Sequence, residues 1–286
     1  VYKRQGSHLH INGLAKGYEL RDYQKNAVER IIETKRALLA HEVGTGKTLT
    51  MISAGFKLKE LGLISRPLFV VPTNLVAQFG QDILKFYPTK KVLIATGNDF
   101  RKENRKRFLA RIITQNYDAI VIGHSQFEKI QVSPEYEAQF FKDQLNDLLD
   151  NIEDMKKQDF TVKGLQARAD AFDKHIKELK FKAQDTFLTF EDLGVDFLFV
   201  DEAHNYKNIA PITTLGQIKG INSTTSKRAF DMQMKVNLLH DKYNQTHVVF
   251  ATGTPVSNSI SELWTMMQYI QPDVLKKFDI DKFDNF

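Results

Sequence analysis

Six short apolar runs punctuate the chain: Ala37–Ala40, Leu68–Val71, Val92–Ala95, Ala119–Ile122, Phe197–Val200 and Val248–Ala251. They are rich in Val, Ile and Phe and flanked by Gly, Pro, Asp or Asn. None alternates apolar with polar positions, so each predicts a strand buried on both faces. Amphipathic segments lie between them. Asp22 is placed to cap a helix running to about Thr34, with Val28, Ile31 and Ile32 on one face, and Lys47–Leu58 predicts another. Strand–helix alternation of this kind predicts a parallel α/β sheet with helices on both sides. The chain shows no internal repeat and no low-complexity tract.

One segment, 134–185, has no strand pattern. Phe141, Leu145, Leu148, Ile152 and Met155 step in threes and fours, and so do Leu165, Ala169, Phe172, Ile176, Leu179 and Ala183. These are two heptad-type stripes separated by a polar stretch, which predicts a helical hairpin inserted in the α/β domain. The simpler expectation for it is a self-packed protrusion; the sharper one is a clamp or docking arm.

Composition narrows the class. The 286 residues include no cysteine, which excludes disulfides, thiolate nucleophiles and Cys-ligated metal sites. No apolar run approaches the roughly 18 residues of a membrane span, and the start has no secretory pattern, so we expect a cytoplasmic protein without a membrane partner. Residues 1–111 hold 21 Lys and Arg against 9 Asp and Glu, whereas 131–190 hold 9 against 12. A basic first third suits a polyanionic partner or phosphates, although a solvated surface has the same composition.

Two segments carry candidate chemistry. Ala40-His41-Glu42-Val43-Gly44-Thr45-Gly46-Lys47-Thr48 follows an apolar strand and opens a helix, the context a phosphate-binding loop requires. Backbone N–H groups around Val43, Gly44, Thr45 and Gly46 would curl about a phosphate, with the positive helix end behind it. Lys47 would reach the β- and γ-phosphates of ATP, and the Thr48 hydroxyl would hold Mg²⁺. The strict pattern has Gly where this chain has His41. Downstream, Phe199-Val200-Asp201-Glu202-Ala203-His204 delivers two adjacent carboxylates at a strand end, where ligands bind in parallel sheets. Asp201 is the candidate for the outer shell of Mg²⁺ and Glu202 for orienting and deprotonating an attacking water.

With both segments in hand, the chain resembles the superfamily-two helicases and, within them, the Swi/Snf-like DNA translocases. Leu20-Arg21-Asp22-Tyr23-Gln24 is similar to the adenine-reading motif, which would put Arg21 and Gln24 at the nucleotide. Val70–Phe79 is similar to motif Ia, with Pro72, Thr73, Asn74 and Gln78 as candidate DNA contacts. Ala251-Thr252-Gly253-Thr254-Pro255-Val256-Ser257-Asn258 is similar to motif III, so Thr252, Gly253 and Thr254 would couple ATP state to DNA grip, with His204 linking them to the γ-phosphate site. Glu262-Leu263-Trp264, and Lys207-Asn208 after the carboxylates, also fit. More narrowly, 225–259 resembles large helicase–methylase-like proteins of phages and conjugative elements.

The resemblance implies an α/β, RecA-like doubly wound sheet carrying the helical insertion. It implies an N-terminal tail over 1–19 and an ATP-binding lobe over 20–286. Val1–Gln5 resembles a translated sequencing adapter rather than native sequence. No arginine-finger motif of a second lobe follows Trp264, so we expect the first lobe of a two-lobed, ATP-hydrolysing motor. Its expected partners are double-stranded DNA and a second RecA-like lobe in a longer chain, in a prokaryotic or phage-type host. The alternatives are the motor segment of a restriction–modification or methylase fusion, and a nucleotide-gated nucleic-acid-binding module without turnover. Arg101, Lys102, Arg105, Lys106, Arg107 and Arg111 read as a solvated helix or a phosphate-contact strip. His124 and Ser125 read as a loop cap or part of a DNA face, and Trp264 reads as core.

Overall fold

The computed structural model describes residues 6, 8–157, 163–182, 189–211, 213, 225–257 and 259–286. The adapter-like Val1–Gln5, the middle of the polar stretch between the stripes, Ala183 and Asn258 lie outside these residues.

In chain order the elements are α1 Asp22–Thr34, β1 Arg36–Leu39, α2 Lys47–Glu60, β2 Pro67–Val71, α3 Val76–Phe86, β3 Val92–Ile94, α4 Lys102–Thr114, β4 Ala119–Gly123 and α5 His124–Phe127. They continue with α6 Pro134–Lys157, α7 Lys163–Lys182, β5 Phe197–Asp201, α8 Lys227–Tyr243, β6 Val248–Ala251, α9 Ile260–Ile270 and α10 Pro272–Lys277. All six apolar runs are strands. One helix boundary differs from expectation: Arg21 occupies the N-cap of α1 and Asp22 is its first helical residue. There the carboxylate still favours the positive helix end.

The strands form one sheet in the order β1-β6-β5-β2-β4-β3, and each neighbouring pair is parallel. Alternate side chains feed two cores. Phe69, Val71, Phe197, Phe199, Val249 and Ala251 face Val28, Ile31, Met51, Ile52, Phe79 and Ile83 of α1, α2 and α3. Leu68, Val70, Ile120, Ile122, Val200 and Phe250 face Phe108, Met232, Val236 and Met266 of α4, α8 and α9. Helices cover both faces, so the strands must be apolar on both, which is why the runs do not alternate. The result is the expected doubly wound sheet. Among the described residues no helix is long and apolar enough to cross a membrane.

The helical hairpin forms as α6 and α7, but its packing differs from a self-contained protrusion. Leu148, Ile152 and Ala169 bury one another in a separate small cluster. Nearer the sheet, Phe140, Phe141 and Ile176 join the main core. Phe141 packs against Phe172 at 5.3 Å and against Phe230 of α8 at 5.0 Å between ring centroids. Tyr136 donates to Asp241 at 3.0 Å, and Arg168 donates to the Ala210 carbonyl at 3.1 Å. The tip packs on itself around Leu148, Ile152 and Ala169, while the base, together with Arg168, belongs to the domain.

Candidate nucleotide site

Strand register gathers the site. Leu39 pairs with Ala251, and Ala251 pairs with Asp201, so β1, β6 and β5 end in step. The segments leaving those ends are the glycine-rich loop, the Glu202 turn and Thr252–Ser257. They emerge side by side from the carboxyl edge of a sheet whose strand order doubles back, the usual ligand crevice of open α/β sheets.

The loop turns into α2 through Gly46, whose φ of +81° few side-chain-bearing residues adopt. Lys47 is the first residue of α2, and its ammonium donates to the carbonyls of His41 (2.9 Å) and Glu42 (3.0 Å). Val43 stands 87% exposed at the loop tip. Thr48 sits beside Lys47 in the first turn. His41 fills the position where the strict pattern has Gly: its ring meets Tyr23 edge-on at 5.5 Å, and burial beside Lys47 holds its pKa down.

Gln24 is 4% exposed and engaged by the loop. Its Nε2 donates to the carbonyls of Thr45 (3.3 Å) and Gly46 (3.2 Å), while its Oε1 accepts from the Arg21 N–H (2.8 Å). Tyr23 adds an O–H bond to the Thr45 carbonyl at 2.6 Å. The residue expected at the adenine thus braces the phosphate loop here, and Arg21 contributes its backbone N–H to that brace.

Asp201 ends β5, and Glu202 follows with a left-handed φ of +50°. Non-glycine residues held there cost about 1–3 kcal/mol and cluster at functional sites. Burial raises the Asp201 carboxyl's pKa from its ordinary value; the Glu202 N–H, from which it accepts, and Lys47 oppose the rise, while the Glu202 charge adds to it. A desolvated carboxylate next to a phosphate loop is a fitting partner for a divalent cation. Among the described residues no cluster of three or more His, Asp or Glu forms a preassembled metal cage. Mg²⁺ held by Thr48, with Asp201 in its outer shell, would take its remaining ligands from phosphate and water, as Mg²⁺ commonly does.

His204 Nδ1 lies 3.2 Å from Glu202 Oε2 and 3.2 Å from Thr252 Oγ1. Thr252 is fully buried, donates its N–H to the Leu39 carbonyl of β1 at 3.1 Å, and accepts from the Thr254 N–H at 3.1 Å. Gly253 faces the loop: a Cβ there would lie 3.3 Å from Val43 Cγ2 and 3.9 Å from Lys47 Nζ. A buried ion pair, Lys207–Glu262 at 2.9 Å, ties the turn after β5 to α9, and Glu262 also accepts from the Ser257 N–H at 2.6 Å.

Pro72, Thr73, Asn74 and Gln78 lie at the end of β2, the strand beside β5, and at the start of α3, with Thr73, Asn74 and Gln78 exposed. Thr73 Oγ1 lies 3.0 Å from Ser125 Oγ at the end of β4. Arg101, Arg105, Lys106, Arg107 and Arg111 are exposed at and along α4. Trp264 is core, stacked edge-on against Phe283.

Tyr23 and the Lys207–Glu262 pair play parts that sequence motifs alone did not assign. The same holds for Lys235, fully buried, whose ammonium reaches Asp231 at 2.6 Å and the Phe127 carbonyl at 2.8 Å. The i,i+4 spacing of Asp231 and Lys235 was the available signal.

A family model described as a probable helicase domain matches residues 31–286. The chain is 26% identical to the defense against restriction protein B of Escherichia phage P1, with 95% of this chain and 14% of that protein aligned. It is 24% identical to the ISWI chromatin-remodeling complex ATPase ISW2 of Saccharomyces cerevisiae, over 95% of this chain and 17% of that protein. The chain therefore spans less than a fifth of either relative. Among solved structures it is similar to the Sulfolobus solfataricus SWI2/SNF2 ATPase core in complex with dsDNA, with a TM-score of 0.51 and 15% identity, over 96% of this chain and 40% of that one. At that identity the likeness speaks to the fold.

Proposed function

The chain belongs to the probable helicase domain family, and from that premise we propose that it is a Swi/Snf-like superfamily-two lobe that binds Mg·ATP and duplex DNA as the first lobe of an ATP-hydrolysing translocase. The observation that carries this reading is the shared register of Leu39, Ala251 and Asp201, which sets the phosphate loop, the carboxylate pair and Thr252 around one crevice.

In this reading the amides of Val43–Gly46 and the Lys47 ammonium hold the β- and γ-phosphates. Mg²⁺, when bound through Thr48 and Asp201, neutralises charge on the transferred phosphoryl group. Glu202 takes the proton of the attacking water, and His204 keeps the Glu202 carboxylate in line with Thr252. Gln24 acts on the nucleotide through the loop it braces. Thr73, Asn74 and Gln78 lie beside the start of α3, where backbone N–H groups suit phosphate oxygens of a nucleic-acid backbone. A second RecA-like lobe elsewhere in the full-length protein supplies the arginines that complete the transition-state charge clamp.

A second reading makes this chain the motor segment of a much larger phage-type protein, and the 14% coverage of the phage relative favours it. It shares the same site. A module that binds nucleotide without turnover is less favoured, because Lys47, Thr48, Asp201 and Glu202 are all present.

The test is Glu202→Gln in the full-length protein. We expect retained Mg·ATP binding and a loss of at least about 100-fold in duplex-stimulated ATP hydrolysis, the usual contribution of a general base. Hydrolysis at the wild-type rate would mean that Glu202 does not activate the water.

A further inference from the structure

The end of β4 touches both halves of the machinery, yet the catalytic roles assigned so far leave it unused. His124 is 4% exposed, and its Nε2 lies 2.9 Å from the Asp201 carbonyl oxygen. A carbonyl only accepts, so Nε2 carries the proton and donates. That carbonyl belongs to the peptide joining Asp201 to Glu202, the residue held at positive φ. Rotating this peptide plane would swing both carboxylates. The imidazole thus pins the one backbone unit on which the geometry of both depends, and the Tyr206 ring packs against it at 5.2 Å.

The next residue reaches the other way. Ser125 donates its N–H to Thr73 Oγ1 at 3.3 Å, and the two hydroxyl oxygens lie 3.0 Å apart. Gln126 Oε1 accepts from Thr73 Oγ1 at 3.4 Å and from Ser125 Oγ at 3.3 Å. The loop after β2 sits so close that a Cβ on Gly123 would come within 2.9 Å of Thr73 Cα. Two adjacent residues of one short turn therefore bond the Asp201–Glu202 peptide on one side and the exposed Thr73 loop on the other.

We propose that His124 is a positioning residue, and that the His124–Ser125 turn couples occupancy of the Thr73 loop by a nucleic-acid phosphate backbone to the geometry of the Asp201–Glu202 peptide. This relay rests on the proposed nucleic-acid role of the Thr73 loop. The connection is two sets of hydrogen bonds joined by a single peptide bond, His124 to Ser125, and coupling itself is an energetic quantity to be measured as one. Linkage makes it reciprocal: DNA must change Mg·ATP affinity by the factor by which Mg·ATP changes DNA affinity.

The experiment measures the dissociation constant of a fluorescent, slowly hydrolysed ATP analogue with Mg²⁺, with and without saturating duplex DNA, on the full-length protein. The same DNA is titrated with and without nucleotide. The wild type should show a coupling factor of about fivefold or more, within the usual allosteric range. Ser125→Ala should reduce it at least about threefold. His124→Ala should bring it close to one, and His124→Asn, which keeps an N–H donor, should recover part of it. Thermal melts identify a His124→Ala protein that fails to fold, in which case Ser125→Ala, an exposed site, decides. A wild-type factor that survives both alanine variants overturns the relay, and so does a wild type that binds DNA and nucleotide without coupling. Absent rescue by Asn reduces His124 to packing and overturns its hydrogen-bonding role. A wild type that does not bind duplex DNA at all overturns the nucleic-acid reading and the relay with it, and is distinguished by the DNA titration alone.

Discussion

His204 Nδ1 and Thr252 Oγ1 lie 3.2 Å apart, joining the turn after β5 to the segment after β6. The same nitrogen is 3.2 Å from Glu202 Oε2, so one imidazole bridges the Glu202 carboxylate and the loop that leaves the neighbouring strand. Thr252→Val keeps the shape and removes the hydroxyl. One net hydrogen bond of about 1 kcal/mol corresponds to roughly a fivefold to tenfold effect. We expect duplex-stimulated kcat to fall about tenfold while the KM for ATP moves by less than about threefold. Steady-state kinetics across DNA concentrations measure this, and an equal change in both parameters would assign Thr252 to nucleotide binding instead.

Gln24 gives a second test. With its amide engaged by Thr45, Gly46 and Arg21, its loss should be felt by any nucleoside triphosphate whose phosphates enter the loop. Gln24→Ala should weaken Mg·ATP and Mg·GTP alike, by about tenfold, since two loop carbonyls lose a buried donor. A residue that reads adenine would instead lose discrimination between the two bases. Competition binding with both nucleotides separates the outcomes.

The hairpin prediction follows from its divided packing. Removing 134–185 outright deletes Phe140, Phe141 and Ile176 from the main core. Losing one large core side chain alone costs about 3–5 kcal/mol, so that deletion should leave a protein that does not unfold cooperatively. Trimming only the distal part, residues 149–164, and closing with a short linker removes Ile152 but keeps Phe141, Phe172 and Phe230 in contact. This variant should melt cooperatively, within a few degrees of the intact chain. Circular-dichroism melts of the two variants decide it; equal behaviour would mean that the base and the tip do not differ.

These contrasts mark what the sequence carries and what it leaves open. The six strands were legible because residues such as Phe69 and Val70 are buried on opposite faces, and only a strand covered on both sides is apolar without alternation. That the glycine-rich turn and the Asp201–Glu202 pair lie at strand ends was legible because each sits within a few residues of an apolar run. The direction of the Gln24 amide, toward the Thr45 and Gly46 carbonyls, was not, because a motif places a side chain near a site without saying which way it points. The heptad stripes told which face of α6 is apolar, but Phe230, which covers part of it, lies in another helix 89 positions away from Phe141. The i,i+4 spacing of Asp231 and Lys235 suggests a pair, but only the fold shows that Lys235 is buried and donates to the Phe127 carbonyl.

The pH dependence of stability supplies a final test at a residue remote from the phosphate chemistry. His247 precedes β6, is buried, and its Nδ1–H donates to the Asp196 carbonyl at 2.6 Å. Its ring stacks on Tyr243 with centroids 4.6 Å apart. Burial holds its pKa below the ordinary 6.5; Asp196 pulls it upward and Lys35 downward. The unfolded chain therefore takes up the proton more readily than the folded one. Where the unfolded state binds more protons, stability rises with pH. The contribution is fully present above about 6.5 and is lost as pH falls toward the folded-state value. His124, held near about 4 by its own burial, acts in the same direction. The melting temperature should thus drop between pH 7 and pH 5. His247→Gln keeps an N–H for the Asp196 carbonyl but does not titrate, so it should shrink that drop without abolishing it, because His124 remains. Melts at pH 7, 6 and 5 for both proteins read the difference directly. An unchanged drop in the variant would mean that His247 takes up its proton at the same pH in both states, which its burial against Tyr243 and Asp196 argues against.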